Sequence, residues 1–557
     1  MALTKLTSVG KSVAQKLLIR SLAISYGFST IALMKASTNS FPDGKKVTWG
    51  GYYDESDGGD NWGIVKTGAH TEDGFTVFTL ADGKYIQANI SKSSLNVKKA
   101  GAKGDGTFVN DTVFATVLAY ANANKIPQVL IPSGIFRTDT PTLITSGVTL
   151  KGYNQSGVKI LTTSGVYFSQ IAYYGTGACI HIQSNSGPNS VADYSASTVD
   201  GLQIRYFGAS QATSYGVQIG TVAKEALQVV VKNCLIQNFG RGIYSIGSWN
   251  VQATDVYIVS TRNATANASP LTFGVYIDCE TRAITSNYLT RVFVQACDVG
   301  FYIQGVAAYS GMTDVYTDAC NTGYYFNGAN LSPARGWSIK GMGLEAPKYK
   351  GLIVNSTTVH ITQFDFVEGI APSYDRIVQV ENSGSLSITG GHDITTGSYG
   401  AVDAMNVDAT SDLLIIALEI SRTLGIKGDG AVKTLTSTSE NRGSLERYPS
   451  SVDVSIANRD NQFSGFSQYN FTPIGSTQAM PQTTTLNRVT FITTDVDVGD
   501  TIDVVNPSSG AFDIVLRCEG AAAGCGIVHP SLTQVSIKAG TKVSLLKRAD
   551  GKLQLQD

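Results

Sequence analysis

Apolar and polar positions alternate with the two-residue period of a β-strand through most of the chain, and glycine interrupts the alternation at a regular interval. Six segments begin with glycine and run into apolar or aromatic residues: Gly216-Val-Gln-Ile, Gly242-Ile-Tyr-Ser-Ile, Gly274-Val-Tyr-Ile, Gly300-Phe-Tyr-Ile, Gly323-Tyr-Tyr-Phe and Gly351-Leu-Ile-Val. Their spacings are 26, 32, 26, 23 and 28 residues. A repeat of that length without helical periodicity predicts a β-solenoid of about three short strands per coil. It is too short for a propeller blade and lacks the fixed leucines and asparagine of leucine-rich repeats. Two neighbouring coils align residue by residue, LTRVFVQACDVGFYIQG (289–305) and MTDVYTDACNTGYYFNG (312–328), which places Cys297 and Cys320 at one position. Alternation points Val315, Thr317 and Ala319 inward and Asp314, Tyr316 and Asp318 outward. One coil earlier, Arg291, Phe293 and Gln295 take the outward positions.

Before the solenoid, turn dipeptides at Asp43-Gly44, Asp57-Gly58, Asp73-Gly74 and Asp82-Gly83 divide residues 44–93 into a small module of hairpins. The acids Asp54, Glu55, Asp57 and Asp60 lack EF-hand spacing and read as a solvated turn. GAKGDGTFVNDTVFATVLAYA (101–121) leads into a helix over 111–124, with Val113, Phe114, Val117, Leu118 and Ala121 on one face. Asn110 or Asp111 is placed to cap it. The stretch lacks the Lys-Ser/Thr ending of a phosphate loop, so it reads as a plug for the open end of the solenoid. Beyond about residue 446 the repeat fades, and 485–557 carries the alternating strands of a separate β domain.

Composition narrows the function. Forty-two basic residues against 43 acidic ones give no global field for nucleic acid. Seven cysteines without CxxC pairs read as free core thiols. The uncharged run 21–34 is too short to span a bilayer and lacks a signal-peptide cleavage site, so it is expected to be a docking helix rather than a membrane insertion.

Asn-Val-Lys-Lys-Ala-Gly-Ala-Lys-Gly-Asp-Gly, then Asn-Asp-Thr, then Ile-Pro-Ser-Gly-Ile-Phe resembles the entrance of pectate-lyase-like β-helix proteins, especially bacteriophage tailspikes. GYYDESDGGDNWGIV and DGKYIQANI resemble the tailspike neck module. The resemblance implies an all-β, right-handed parallel β-helix with an N-terminal capping helix. The boundaries expected are a virion-docking segment 1–40, a neck 41–95, the β-helix 96–445 and a C-terminal β domain 446–557 for trimerisation or glycan binding. It further implies a homotrimer on the phage tail, joined to a tail or adaptor protein through its N-terminus, that binds and cleaves a bacterial capsule or O-antigen without a cofactor or metal.

Chemistry on such a solenoid must come from outward residues. Thr-Asp-Val-Tyr occurs at 254–257 and 313–316. In register, Asp255 with Tyr257, Arg291 with Phe293 and Asp314 with Tyr316 form one external column, suited to stacking sugar faces and bonding hydroxyls. Glycoside cleavage needs two carboxyl groups, about 5 Å apart for retention or about 6.5–9.5 Å for inversion. Asp318 and Glu345 on adjacent coils can approach about 5 Å, while Asp255 and Asp314, two coils apart, lie roughly 10 Å apart at the backbone. Asp314, Asp318 and Glu345 lead, Asp255 follows, and Asp365 and Glu368 are rivals, with His360 nearby. Arg335 and Trp337 are further subsite candidates. A β-eliminating lyase using His360 or a tyrosine with Arg291, and a non-catalytic adhesin, are the competing functions.

Overall fold

The computed structural model describes residues 26–145, 147–153, 168–184, 196–261, 272–328, 336–367, 376–392, 402–416 and 418. Beyond these it describes strands and short segments at 424–427, 431–435, 445–448, 460–464, 468–470, 483–485, 488–492, 501–505, 513–517, 527–528, 534–537, 541–547 and 553–555. Two compact units divide at Lys348 and Tyr349.

In the first unit, strands Tyr26–Phe28, Lys46–Trp49, Asn61–Lys66, Tyr85–Ala88 and Val77–Thr79 form a five-stranded sheet. Val47, Trp49, Val65, Phe78 and Ile86 point to one side and are buried with Met34 and Phe41. Asp82-Gly83 makes the turn of the antiparallel pair Val77–Thr79/Tyr85–Ala88, with Gly83 at φ 80°. The acidic cluster is organised by Asp57, whose carboxylate accepts the backbone N–H groups of Tyr52, Tyr53, Asp54 and Gly59. Burial pushes that carboxyl group up, and the four N–H groups bring it net below the ordinary aspartate value.

The fold is a right-handed parallel β-helix. One ladder of the first unit stacks Thr142–Ile144, Gly177–Ile182, Ser214–Ile219, Arg241–Ile246, Phe273–Thr285, Val299–Ala308 and Thr322–Asn327, all parallel. The other stacks the longer strands Val230–Gln237, Gln252–Val259, Tyr288–Gln295, Gly311–Asp318 and Trp337–Glu345. Earlier in the chain this ladder is two shorter strands per coil, and Val230–Gln237 pairs with both Thr198–Asp200 and Gln203–Tyr206. The join persists in the long strands as a left-handed residue: Asn233, Asp255, Arg291, Asp314 and Gly341, at φ 50–73°, occupy one register column. Other left-handed columns, such as Ala296, Ala319 and Ala346, mark another corner. The same conformation recurs from coil to coil because it is how the chain turns. Ala319, expected inward by alternation, is instead half-buried at such a corner at φ 51°.

The repeat glycines explain the period. Gly216, Gly242, Gly274 and Gly300 stack in register, and a Cβ on any of them would meet the next glycine's carbonyl oxygen at 2.5–2.6 Å. The opposite obstacle is Ile236, Ile258, Val294 or Thr317, at 2.2–2.5 Å. Only glycine lets the two ladders close together at this level of each coil. Cys297 and Cys320 are fully buried neighbours, and their mutual hydrogen bond and burial push the Cys297 thiol well above its usual value.

The helix Asp111–Ala123 buries Phe114, Val117, Leu118 and Ala121, with Val113 half-buried. Asn110 does not cap it through its side chain. That fully buried amide instead accepts from Lys103 N–H and donates to the carbonyls of Lys103, Phe108 and Arg137, clamping the glycine-rich loop to the first coil. The Asp111 carboxylate accepts from Asp139 N–H, and Asp105 accepts from Thr107 and Phe108 N–H.

In the second unit, Lys350–Asn355, Arg376–Glu381, Val402–Val407, Leu424–Lys427 and Leu445–Tyr448 form one parallel ladder. Thr358–Val367, Ser385–Thr389, Asp412–Ile416 and Ala431–Leu435 form another. After these, antiparallel pairing appears between Thr501–Val505 and Lys542–Lys547 and between Asp513–Arg517 and Gln534–Ile537.

Candidate functional site

Register on the long-strand ladder aligns Tyr257, Phe293, Tyr316 and Gly343, and one corner earlier Asp255, Arg291, Asp314 and Gly341. The inward neighbours Val256, Val292, Val315 and Met342 are buried, so the two columns lie on the outer face. Tyr257 and Phe293 pack with ring centroids 4.9 Å apart. Tyr316 is 44% exposed and presents a ring to solvent.

Arg291 grips Asp255 with two parallel bonds, Nε to Oδ1 at 2.6 Å and Nη2 to Oδ2 at 2.8 Å. The guanidinium holds the Asp255 carboxyl group below the ordinary aspartate value. Asp255 is therefore committed to its neighbour as a carboxylate, and Arg291 is committed in return. Asp314 lies against Gly341, where an added Cβ would stand 2.7 Å from Oδ1.

At the far end of the strands, Gln295, Asp318 and Glu345 share one register position on three successive coils. The Gln295 amide donates to Asp318 Oδ2 at 2.6 Å and accepts the Tyr257 hydroxyl. Burial, then the charge of Asp318, pushes the Tyr257 hydroxyl above its usual value. Adjacent strands in a sheet lie about 4.8 Å apart, so Asp318 and Glu345 stand one rung from each other. Asp318 is half-buried and Glu345 exposed.

The remaining candidates lie elsewhere. Trp337 is not a surface subsite: it is 2% exposed and packs its ring 6.1 Å from Phe326, because its strand turns that position into the core. Arg335 and Glu368 lie outside the described residues. In the second unit, Asp365 accepts from His392 Nδ1 at 2.9 Å and from the Gln363 amide at 2.9 Å, while His360 Nδ1 meets Ser387 Oγ at 2.7 Å. Sequence reasoning passed over Gln295 as a linker of the two columns and over Gly341 and Gly343, the buried glycines on which Asp314 and Tyr316 rest. Their signal is Gly-Met-Gly at 341–343, in register with Asp-Val-Tyr one coil before.

No family model matches the sequence, and no curated protein matches it. Solved structures do. The tailspike gp42 of Acinetobacter phage vb_AbaP_AS12 superposes with a TM-score of 0.51 over 96% of this chain and 92% of that one, at 14% identity. This chain shares that tailspike's fold. Weaker superpositions include the tailspike protein of Acinetobacter phage vB_ApiP_P1, with TM-score 0.46, 13% identity and 93% and 88% of the two chains covered. Another is tailspike gp49 of Acinetobacter baumannii bacteriophage Fri1, a capsular polysaccharide depolymerase, with TM-score 0.42, 11% identity and 76% and 75% covered.

Proposed function

We propose that this chain is a phage tailspike that binds a bacterial surface polysaccharide, capsule or O-antigen, on its β-helix and cleaves it as an endo-glycoside hydrolase. The observation that carries this reading is the pair Asp318 and Glu345, in register on adjacent coils beside a column of aromatic rings. One rung, about 4.8 Å, is close to the separation of about 5–5.5 Å at which one carboxylate attacks the anomeric carbon and the other serves the leaving oxygen. Asp318, steadied by the Gln295 amide, takes the nucleophile's part. Glu345, exposed on a longer side chain, protonates the leaving oxygen and then draws the proton from the incoming water. Tyr257, Phe293 and Tyr316 stack on sugar faces, and Asp314 bonds hydroxyls.

The competing lyase reading assigns the neutralising cation to Arg291, which bonds Asp255 in an exposed pair, so the paired carboxylates favour hydrolysis as the first reading and elimination as the second. The resemblance also supports a homotrimer on the virion attached through its N-terminal segment. The expected docking helix over 21–34 gives way at Tyr26–Phe28 to a strand of the neck sheet, with Ile31 and Met34 in its core, so the neck takes in residues from 26 rather than from 41. The test is incubation with polysaccharides from a panel of encapsulated bacteria. New reducing ends support hydrolysis, an unsaturated uronate chromophore supports elimination, and unchanged polymer length leaves only an adhesin. Asp318→Asn and Glu345→Gln should each abolish the new reducing ends while leaving polymer binding in place. Cleavage by both variants at the wild-type rate removes the assignment.

A further inference from the structure

The short-strand ladder of the first unit carries its own row of rings. Tyr244, Tyr276, Tyr302 and Tyr325 stand in register on four successive coils, half-buried, with centroids 5.2, 4.8 and 5.1 Å apart. Their hydroxyl tips are polar in context: Tyr244 donates to Asp278, Tyr276 donates to Gln304 at 2.5 Å, and Tyr302 accepts from Asn327. At one end lies Arg241, its guanidinium 4.9–5.5 Å from the ring centres of Tyr215, Tyr244, Phe273 and Tyr276.

Arg241 differs from Arg137 and Arg291, each of which is locked on a neighbouring aspartate. Among the described residues it makes no ion pair, and its buried Nε has no acceptor. Rings strip water from the faces of the guanidinium and leave its terminal nitrogens to be satisfied by something else. A planar fork of this kind suits a carboxylate. The groups beside it repeat once per rung, which fits a repeating polymer better than the irregular surface of a folded partner. Asp278, one coil on, opposes a second anion there and confines the carboxylate seat to the Arg241 end.

We propose that Arg241 and this tyrosine row form a second polysaccharide track, separate from the Asp318–Glu345 pair and selective for an acidic glycan. The guanidinium takes a sugar carboxylate, and the tyrosines take the faces of the following sugars. The proposal rests on the reading that the chain binds polysaccharide.

The test uses the full-length protein with glucuronate-bearing capsular polysaccharides and the same polymers after reduction of their carboxyl groups. Wild type and the Asp318→Asn variant should bind an acidic polymer about tenfold or more tighter than its reduced form. Arg241→Gln should erase that preference, Arg241→Lys should restore part of it, and Tyr302→Ala should weaken both polymers alike. A wild-type protein that cleaves or binds polysaccharide with no preference for the acidic form overturns the track and leaves the glycan-cleaving function standing. Arg241→Gln that keeps the preference overturns it too. So does a loss of oligomeric state in Tyr302→Ala without loss of binding, which would make the row a contact between copies. Wild type that neither binds nor cleaves any polymer overturns both readings. If Arg241→Gln melts early, the wild-type comparison of native and reduced polymer decides alone.

Discussion

The ring of Tyr316 lies across Gly343 on the next coil, so closely that a methyl group at position 343 would stand 2.1 Å from its Cδ1. Neither residue alone makes this surface; the missing side chain of one gives the other its orientation. Gly343→Ala should turn the ring away at a cost of roughly 1–3 kcal/mol in stability from overpacking. Because a stacking contact holds ground state and transition state alike, KM for the polymer should rise several-fold with kcat little changed. Steady-state kinetics beside denaturant unfolding would show this. A fall in kcat alone would place Tyr316 in the chemical step instead.

Asp318 and Glu345, one rung apart, make a stereochemical prediction. Hydrolysis should retain the anomeric configuration, because about 5 Å leaves no room for a water between carboxylate and sugar. Proton NMR of the first product formed reads the anomer directly. Inversion would shift the assignment to a wider pair, such as Asp314 with an acid on another coil. The double variant Asp318→Asn/Glu345→Gln should lose little beyond either single one, since the two act as a unit.

The Asp255–Arg291 pair should matter for acid stability more than for cleavage. The folded-state pKa of Asp255 is depressed by its bond to Arg291. Its contribution is thus complete above the unfolded value of about 3.9 and is lost as pH falls through the lower folded value. Both side chains are exposed enough for solvent to screen them, so the contribution should be small and should weaken further with added salt. Melting temperatures of wild type and Arg291→Ala should differ at neutral pH, begin to converge below about pH 4 and meet once pH has fallen past the lower folded value. A constant gap at all pH values would assign the loss to packing.

Much of this architecture was legible because strand alternation and the glycine period are strong signals. Asp314, Tyr316 and Asp318 face outward, and Val315 and Thr317 are buried. Alternation fails at Ala319, where a left-handed corner ends the strand, and nothing in an alanine announces φ 51°. Trp337 beside a loop looked like a glycan platform, yet a large ring at an inward position is worth more in the core. The tyrosine row was visible as Gly-x-Tyr at 242–244, 274–276, 300–302 and 323–325. There the glycine sets the repeat, and the aromatic alternation that follows it does not by itself separate the tyrosine from its inward neighbours. The glycine faces the crowded interior and the tyrosine the outside.

That interior role of glycine has its own test. Gly274→Ala places a Cβ 2.2 Å from Val294 Cγ1 and 2.6 Å from the Gly300 carbonyl oxygen. Backbone on one side and a branched side chain on the other leave nothing to yield, so stability should fall by about 3 kcal/mol or more, above the usual range for an added methylene. Gly177→Ala meets no atom within 4 Å and should cost only the strain of its φ of 75°, about 1–2 kcal/mol. Chemical denaturation of the two variants should rank them in that order.

The plug at the start of the coils separates folding from chemistry. Phe114 and Leu118 are 3% and 6% exposed on the inward face of the helix Asp111–Ala123. Aspartate at either position buries a charge without a partner and should prevent the β-helix from closing. The measurable result is loss of soluble protein and of the cooperative melt. Asp105 sits in the same glycine-rich stretch, and its exposed carboxylate accepts the N–H groups of Thr107 and Phe108 within the irregular strand Asp105–Val109. The Phe108 bond holds it below the ordinary aspartate value. An asparagine oxygen can accept the same bonds, so Asp105→Asn should leave polysaccharide cleavage within about twofold of wild type, as expected of a surface change away from the site. Loss of cleavage in a well-folded Asp105→Asn protein would add this loop to the catalytic candidates.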